Sequence, residues 1–291
     1  MKSSTSPRAS VAVRLSLCAL LALPGAGDEG RGGEPAPSFL DTHLLVTWYG
    51  NPHSAGMGVL GQRLGTERAG ALRRQAAAYQ LLTSKDVVAA YHLVAVVAQR
   101  TAGADQKWRR RESPAVIRAL LEEARAEGFL LVLDVQPGRS SLADELEVLR
   151  PFLAEPDVHL ALDPEFDLTE GQVPGRALGH TLAADVNAAI EFLDDLVAAE
   201  GLPPKVLIVH QFTLGMLPDK GDIRDRPSVD VVLDMDGFGP PALKRATYSA
   251  ITRQRRLEFS GVKLFYEQDT GLLSPAEVMA LVPAPSVVVY Q

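Results

Sequence analysis

The chain has 291 residues, of which 46% are hydrophobic and 22% are charged, a composition typical of a globular protein with a sizeable core. Its formal net charge of −7 argues against binding to a nucleic-acid backbone, because such binding depends on clustered lysine and arginine. The densest basic groups, Arg109–Arg111 and residues 253–256, are short and are interpreted as solvated surface.

Residues 1–27 are predicted to form an export signal peptide. Three basic residues, the last of them Arg14, precede an apolar stretch at 15–23, and small residues follow it, so cleavage is expected near Gly27. The apolar stretch is too short for a membrane span, which needs about 20 residues. The sequence therefore predicts a secreted or cell-surface protein without a membrane span.

The single cysteine, Cys18, lies inside the predicted signal peptide, so the mature chain is expected to carry no thiol. Lipid anchoring through Cys18 is the less favoured alternative, because Leu17 stands where a small residue is usual and Arg14 interrupts the apolar stretch. Residues 28–40 are rich in glycine, proline and charge, which predicts a flexible linker before the folded domain.

From residue 41 to residue 291, short apolar runs alternate with segments of helical periodicity, which predicts an α/β domain. The predicted strands are 43–50, 87–97, 129–136, 158–165, 205–212, 229–238, 262–269 and 286–291. Strands that are apolar almost throughout are expected where both faces are covered. The prediction is therefore a single-domain closed (β/α)8 TIM barrel, with an open doubly wound sheet as the runner-up.

Two helices are marked by their end signals, at 113–128 and 185–201, because each ends at a glycine. The predicted second strand, 87–97, also fits a helical period. No eighth helix follows residue 291, so this helix is expected to be absent or replaced by the N-terminal segment 30–42.

Polar side chains close most of the predicted strands. They are Asp134 and Gln136 on the third strand, Asp163 and Glu165 on the fourth, His210 and Gln211 on the fifth, Asp234 and Asp236 on the sixth, and Glu267, Gln268 and Asp269 on the seventh. The carboxyl ends of barrel strands converge on one rim, where active sites of this fold lie. Converging carboxylates raise one another's pKa values, so that one can act as an acid beside an ionised neighbour. The alternative interpretation is that each acid caps the following helix.

In this pattern the chain resembles the TIM-barrel glycoside hydrolases that place an acid/base carboxylate after the fourth strand and a nucleophile after the seventh. Glu165 and Glu267 match those positions, so the resemblance implies that Glu165 is the general acid/base and Glu267 the nucleophile or base. Pro164 stands where that group commonly has Asn. The alternative resemblance is to families with an Asp-x-Glu pair on one strand, in which Asp163 would orient or polarise Glu165.

The same resemblance implies a carbohydrate site at the rim. Asp134, Asp163 and Asp236 would tune or position the catalytic pair. The expected substrate-binding residues are Trp48, Tyr49, His210, Gln211 and Gln136, with Trp48 and Tyr49 stacking on a sugar ring. Further aromatic residues near the predicted rim are Phe166, Phe212, Phe238 and Tyr266.

Other functions compete with an exported glycosidase acting on a glycan. A divalent-metal-dependent hydrolase could use Asp134, Asp163, Glu165, His210, Asp234 and Asp236, although no His-x-His motif occurs. A non-catalytic carbohydrate-binding surface protein is a further alternative.

The glycines of residues 56–61 satisfy a dinucleotide-binding spacing but do not follow the first strand directly, so they are interpreted as a rim loop. The sequence leads us to expect a monomer that needs no cofactor and no metal.

Overall fold

The computed structural model describes residues 38–253 and 259–291, and its centre is a closed parallel barrel. The strands are β1 (His43–Gly50), β2 (Asp86–Ala98), β3 (Arg109–Arg111), β4 (Leu130–Val135), β5 (Val158–Leu162), β6 (Lys205–Gln211), β7 (Val229–Met235), β8 (Phe259–Leu264) and β9 (Val287–Tyr290). The barrel closes because β1 pairs in parallel with both β2 and β9. Among the described strands only β3 runs antiparallel, as a short addition to β2. The predicted (β/α)8 TIM barrel is thus confirmed, and the open sheet is wrong.

Helices cover most of the outer face of the barrel. They are α1 (Phe39–Thr42), α2 (Gly65–Gln80), α3 (Pro114–Glu127), α4 (Leu142–Leu153), α5 (Ala183–Glu200), α6 (Pro241–Arg253) and α7 (Pro275–Met279). In α3, the side chain of Ser113 accepts a hydrogen bond from the backbone of Val116, and Gly128 ends the helix with a φ of 70°. Between β6 and β7 the connection contains two 3-10 turns, Leu214–Met216 and Lys220–Asp222, instead of an α-helix.

The described part of the N-terminal segment, residues 38–42, does not replace the eighth helix. In the described part of the chain no helix follows β9, while α1 packs against the inner layer of the barrel. Leu40 is fully buried there, and its backbone N–H donates a hydrogen bond to Asp230 Oδ2 at 2.8 Å. Because Asp230 lies near the start of β7, α1 covers the N-terminal end of the barrel, opposite the predicted site.

The side chains of each strand alternate between two apolar layers, as the pleat requires. The inner layer includes Leu45, Val132 and Ile208, and the outer layer includes Leu44, Leu133 and Leu207. Both faces of the sheet are therefore buried, which accounts for the almost continuous apolar runs in the sequence.

Several strands end earlier than predicted. The second strand is a strand and not a helix, whereas the fourth predicted strand ends at Leu162 and continues as the 3-10 turn Pro164–Phe166. The seventh predicted strand, 262–269, corresponds to β8, which ends at Leu264. This difference of five residues determines which side chains reach the rim.

The predicted signal peptide, Cys18 and the linker up to residue 37 lie outside the described residues. Among the helices that are described, none combines the length and the apolar character that a membrane span requires.

Candidate functional site

A cavity of about 710 Å3 lies at the C-terminal end of the barrel strands. Three acidic residues line it, namely Asp163, Glu165 and Asp236. The polar residues Tyr49, Gln136 and Lys263 lie on the same wall, and the apolar wall includes Phe166, Phe212, Phe238 and Phe265. The cavity therefore combines carboxyl groups with aromatic surface, as expected from the strand ends.

Strand alternation decides which residues reach the cavity. On β1, Tyr49 belongs to the inner layer and lines the cavity, whereas Trp48 belongs to the outer layer. Trp48 and Tyr266 line a separate groove of about 380 Å3 outside the barrel. The two neighbouring aromatic residues that were predicted to stack on one sugar ring therefore face different spaces.

The amide of Gln136 connects two residues of the cavity wall. Its Nε2 donates hydrogen bonds to the Tyr49 hydroxyl at 3.2 Å and to Asp163 Oδ2 at 3.1 Å. Its Oε1 accepts a hydrogen bond from the backbone N–H of Ala98 at 3.1 Å. Because the carbonyl oxygen is held by the backbone of β2, the donor end of the amide is fixed toward Asp163.

The Asp163 and Glu165 pair occupies the turn after β5. Burial, and then the charge of Asp134, raises the pKa of Asp163. Glu165 is only partly buried, and burial together with the charge of Asp163 raises the pKa of its carboxyl group to about 7. Glu165 is therefore a carboxyl group that can exchange a proton near neutral pH.

Asp236 follows β7 and is the third carboxyl group of the cavity. Burial raises its pKa to about 7, since the charges of His210 and Lys263 only partly offset the loss of solvent. Its Oδ2 lies 3.9 Å from His210 Nδ1, and its Oδ1 has no hydrogen-bond partner among the described residues. Glu165 and Asp236 thus form a pair of carboxyl groups with similar proton affinities in one cavity.

Below the cavity, a fully buried network joins histidines and carboxylates from four strands. Asp134 Oδ2 lies 3.1 Å from His92 Nε2 and 3.0 Å from His210 Nε2. His210 Nδ1 lies 2.8 Å from Asp234 Oδ2. Both ring nitrogens of His210 therefore face carboxylate oxygens, an arrangement that suits the doubly protonated imidazolium.

The protonation of this network follows from its hydrogen bonds. Burial and the charge of Lys263 lower the pKa of His210, but the hydrogen bonds to Asp134 and Asp234 outweigh them and raise it to about 10. Burial lowers the pKa of His92. Burial also opposes ionisation of Asp134, yet the hydrogen bonds from His210 and His92 hold the pKa of that carboxyl group below its usual range.

The same network contains the residues that could hold a metal ion. One ligand atom each from His92, Asp134 and His210 lie within 4.8 Å of one another, and all three residues are buried. A set of two imidazoles and one carboxylate suits divalent transition metals, and Asp234 behind His210 is the type of partner that orients a ligating histidine.

Besides Trp48, four further predicted site residues do not line the cavity. Asp134 and His210 lie beneath it with their side chains hydrogen-bonded to each other. Gln211 faces away from it, and its Oε1 accepts a hydrogen bond from Lys220 Nζ at 3.2 Å. Glu267 is exposed in the turn after β8, because that strand ends at Leu264. The structure therefore brings Glu165 together with Asp236 and Asp163, but not with Glu267.

Lys263 is a charged cavity residue that the sequence interpretation missed. It belongs to β8, is 3% exposed, and lies with its Nζ 3.6 Å from the centroid of the Tyr49 ring. The sequence offered one signal, a lysine inside an apolar run. Because β8 begins at Phe259, whose side chain points into the barrel, the alternation of side chains also directs Lys263 inward.

The glycine-rich loop after β1 packs tightly at the edge of the site. A Cβ atom at Gly58 would lie 2.4 Å from the carbonyl oxygen of Tyr49, and one at Gly61 would lie 2.3 Å from that of Asn51. The glycines thus allow close approach of two backbone segments, and Gly56 and Met57 line the cavity. This agrees with the predicted rim loop.

The fold and the site together define a (β/α)8 barrel with an acidic, partly aromatic cavity at the C-terminal end of its strands. No family model matches the sequence, and no curated protein matches it either. Among solved structures, the chain is similar to the GH26 domain of an endo-beta-mannanase/endo-beta-glucanase from Prevotella bryantii, with a TM-score of 0.39 and 10% sequence identity. The likeness covers 75% of this chain and 80% of that domain chain.

Proposed function

We propose that the protein is a glycoside hydrolase that acts on a glycan bound in the barrel cavity. The observation that carries this proposal is the pairing of Glu165 and Asp236, which line one cavity and each have a pKa of about 7. Glycoside hydrolysis uses two carboxyl groups, one to protonate the leaving oxygen and one to act as base or nucleophile. The phenylalanines of the cavity wall offer apolar surface to the faces of sugar rings.

Glu165 is assigned as the general acid and Asp236 as the second carboxyl group. Because each group has a pKa of about 7, both the protonated and the ionised form of each are present near neutral pH, so one group can donate a proton while the other is ionised. The side chain of Asp163 accepts a hydrogen bond from the backbone N–H of Glu165 and orients this turn. Asp163 is therefore a positioning residue that also raises the proton affinity of Glu165.

The test is hydrolysis of a panel of polysaccharides and aryl glycosides by the purified protein. Glu165→Gln and Asp236→Asn should each lower kcat by about 100-fold or more, because each removes a proton-transfer group. Glu170→Gln is the matched control, since Glu170 is exposed outside the cavity. Full activity in both cavity variants would refute the assignment. Loss of activity in Glu267→Gln would instead favour the pairing inferred from the sequence.

A divalent-metal-dependent hydrolase is the second candidate, favoured by the cluster of His92, Asp134 and His210. These residues would hold the ion, which would supply a Lewis acid to the reaction. Activity that is abolished by EDTA and restored by Zn2+ or Mn2+ would support this candidate. Activity that is indifferent to EDTA would support the carboxyl pair.

We also propose that the protein is exported and acts outside the cytoplasm. The basic, apolar and small-residue segments of residues 1–27 support this. The N-terminal sequence of the mature protein from the culture medium or cell surface is the test, and it should begin near residue 28. A mature chain that begins at Cys18 with a lipid would support the anchored alternative.

A further inference from the structure

Lys263 lies on the cavity wall, and its ammonium group faces the cavity near Asp163, Glu165 and Asp236. Its residue is 3% exposed, and among the described residues its Nζ forms no hydrogen bond and no ion pair. The contacts of the ammonium are with ring faces, at 3.6 Å from the centroid of Tyr49 and 5.3 Å from that of Phe265. Cation–π contacts leave the N–H donors of the ammonium without acceptor oxygens.

The other buried lysines of the described chain are satisfied by protein oxygens. Lys205 Nζ donates to the carbonyl oxygen of Val158 at 2.9 Å, and Lys220 Nζ donates to that of Ile251 at 2.9 Å. Lys244 Nζ donates to the carbonyl oxygen of Lys263 at 2.7 Å and pairs with Asp269 at 2.6 Å. Lys263 lacks such partners and faces the cavity, so we expect a bound ligand to supply the oxygen that accepts its hydrogen bonds.

The surroundings of Lys263 indicate the charge of that ligand. Asp163, Glu165 and Asp236 line the same cavity, and those of them that are ionised would repel an anionic ligand. A cationic ligand would meet the fixed ammonium. An uncharged ligand with several oxygen acceptors satisfies the donors of Lys263 without either repulsion.

We propose that Lys263 binds a hydroxyl or ring oxygen of an uncharged sugar and sets a preference of the cavity for neutral over acidic sugars. This deepens the proposed function and rests on its assignment of a glycan to the cavity. Lys244 supports the role of Lys263, because its hydrogen bond to the Lys263 carbonyl fixes this part of β8.

The experiment is calorimetric titration of the full mature protein with neutral gluco-, manno- and galacto-oligosaccharides and with the corresponding uronic-acid oligosaccharides. Lys263→Met should weaken binding of the preferred neutral oligosaccharide by about 10-fold to 150-fold, the range for loss of a charged hydrogen bond. Its melting temperature, measured beside that of the wild type, separates a loss of binding from a loss of fold.

Lys205→Met is the matched control, since it removes a buried lysine at the opposite end of the barrel. It should lower the melting temperature and leave affinity unchanged. If the wild-type protein binds neutral sugars without cleaving them, hydrolysis fails while the inference about Lys263 stands. Equal affinity in Lys263→Met, tighter binding of the uronic-acid series, or no binding to any oligosaccharide would overturn the inference.

Discussion

The Oδ1 atom of Asp163 accepts a hydrogen bond from the backbone N–H of Glu165 at 3.3 Å, so the two acidic residues that follow β5 are held together in one turn. Burial of Glu165 and the charge of its neighbour together raise the pKa of Glu165 to about 7. The hydrogen bond fixes the separation of two like charges that would otherwise move apart.

Asp163→Asn should shift the pH dependence of hydrolysis toward lower pH. The general acid works while protonated, so activity of the wild type should fall as pH rises through about 7. Asparagine keeps the oxygen that accepts the Glu165 N–H but removes the charge, which lowers the pKa of Glu165. The measurement is kcat/KM between pH 4 and pH 9, and an unchanged basic limb would contradict the role given to Asp163.

The raised pKa of Glu165 also predicts how stability depends on pH. Its pKa is about 7 in the folded protein, against 4.5 for a solvated glutamate in the unfolded chain, so the protonated form is favoured on folding. The stabilising contribution is therefore full below pH 4.5 and is lost as pH rises through 7. Urea unfolding of wild type and Glu165→Gln should show a difference in unfolding free energy that changes across this window. A constant difference would show that Glu165 does not titrate there.

His210 should be an imidazolium at neutral pH. Its two ring nitrogens lie 3.0 Å from Asp134 Oδ2 and 2.8 Å from Asp234 Oδ2, and its pKa is raised to about 10. Nitrogen-15 NMR of the histidine rings should show both nitrogens protonated in His210 and unchanged between pH 6 and pH 8. His53, which is not part of the buried network, serves as an internal reference. A neutral tautomer at pH 7 would contradict the network.

Gly261→Ala should destabilise the barrel by about 1–3 kcal/mol, the usual effect of overpacking. A Cβ atom at Gly261 would lie 2.6 Å from Asp234 Oδ1, which is buried and cannot move into solvent. Displacing this carboxylate would also weaken its hydrogen bond to His210. Gly221→Ala is the control, because a Cβ atom there meets nothing within 4 Å. Urea denaturation checks both, and equal stabilities would argue against the close contact.

The barrel was predictable because its strands are buried on both faces and therefore apolar almost throughout. The position of Glu267 was not predictable in the same way. Phe265 and Asp269 are buried as well, although they follow the strand, so the apolar pattern continues past Leu264. Asp269 is buried because Lys244 and backbone N–H groups bind its carboxylate, a long-range arrangement that periodicity does not reveal.

The acidic part of the cavity followed from the acidic residues that the sequence places at the strand ends. Asp163, Glu165 and Asp236 each stand at or just after the end of a strand, where the sequence placed them. The sequence did not show which inward-facing side chains line the cavity and which lie in the layer beneath it. His210 and Asp134 lie one level deeper than Gln136 and Asp236, and that depth depends on the tilt of the strands around the barrel.

The docking of α1 onto β7 has a kinetic consequence. The backbone N–H of Leu40 bonds to Asp230, which lies 190 positions later in the chain, and β1 gains its second neighbour only from the residues of β9. The N-terminal segment cannot complete these contacts until β7 and β9 have been synthesised, because its partners lie near the C-terminus of the domain. Long-range pairing of this kind slows folding. If the chain is exported as proposed, slow folding would help it to remain unfolded until it has crossed the membrane.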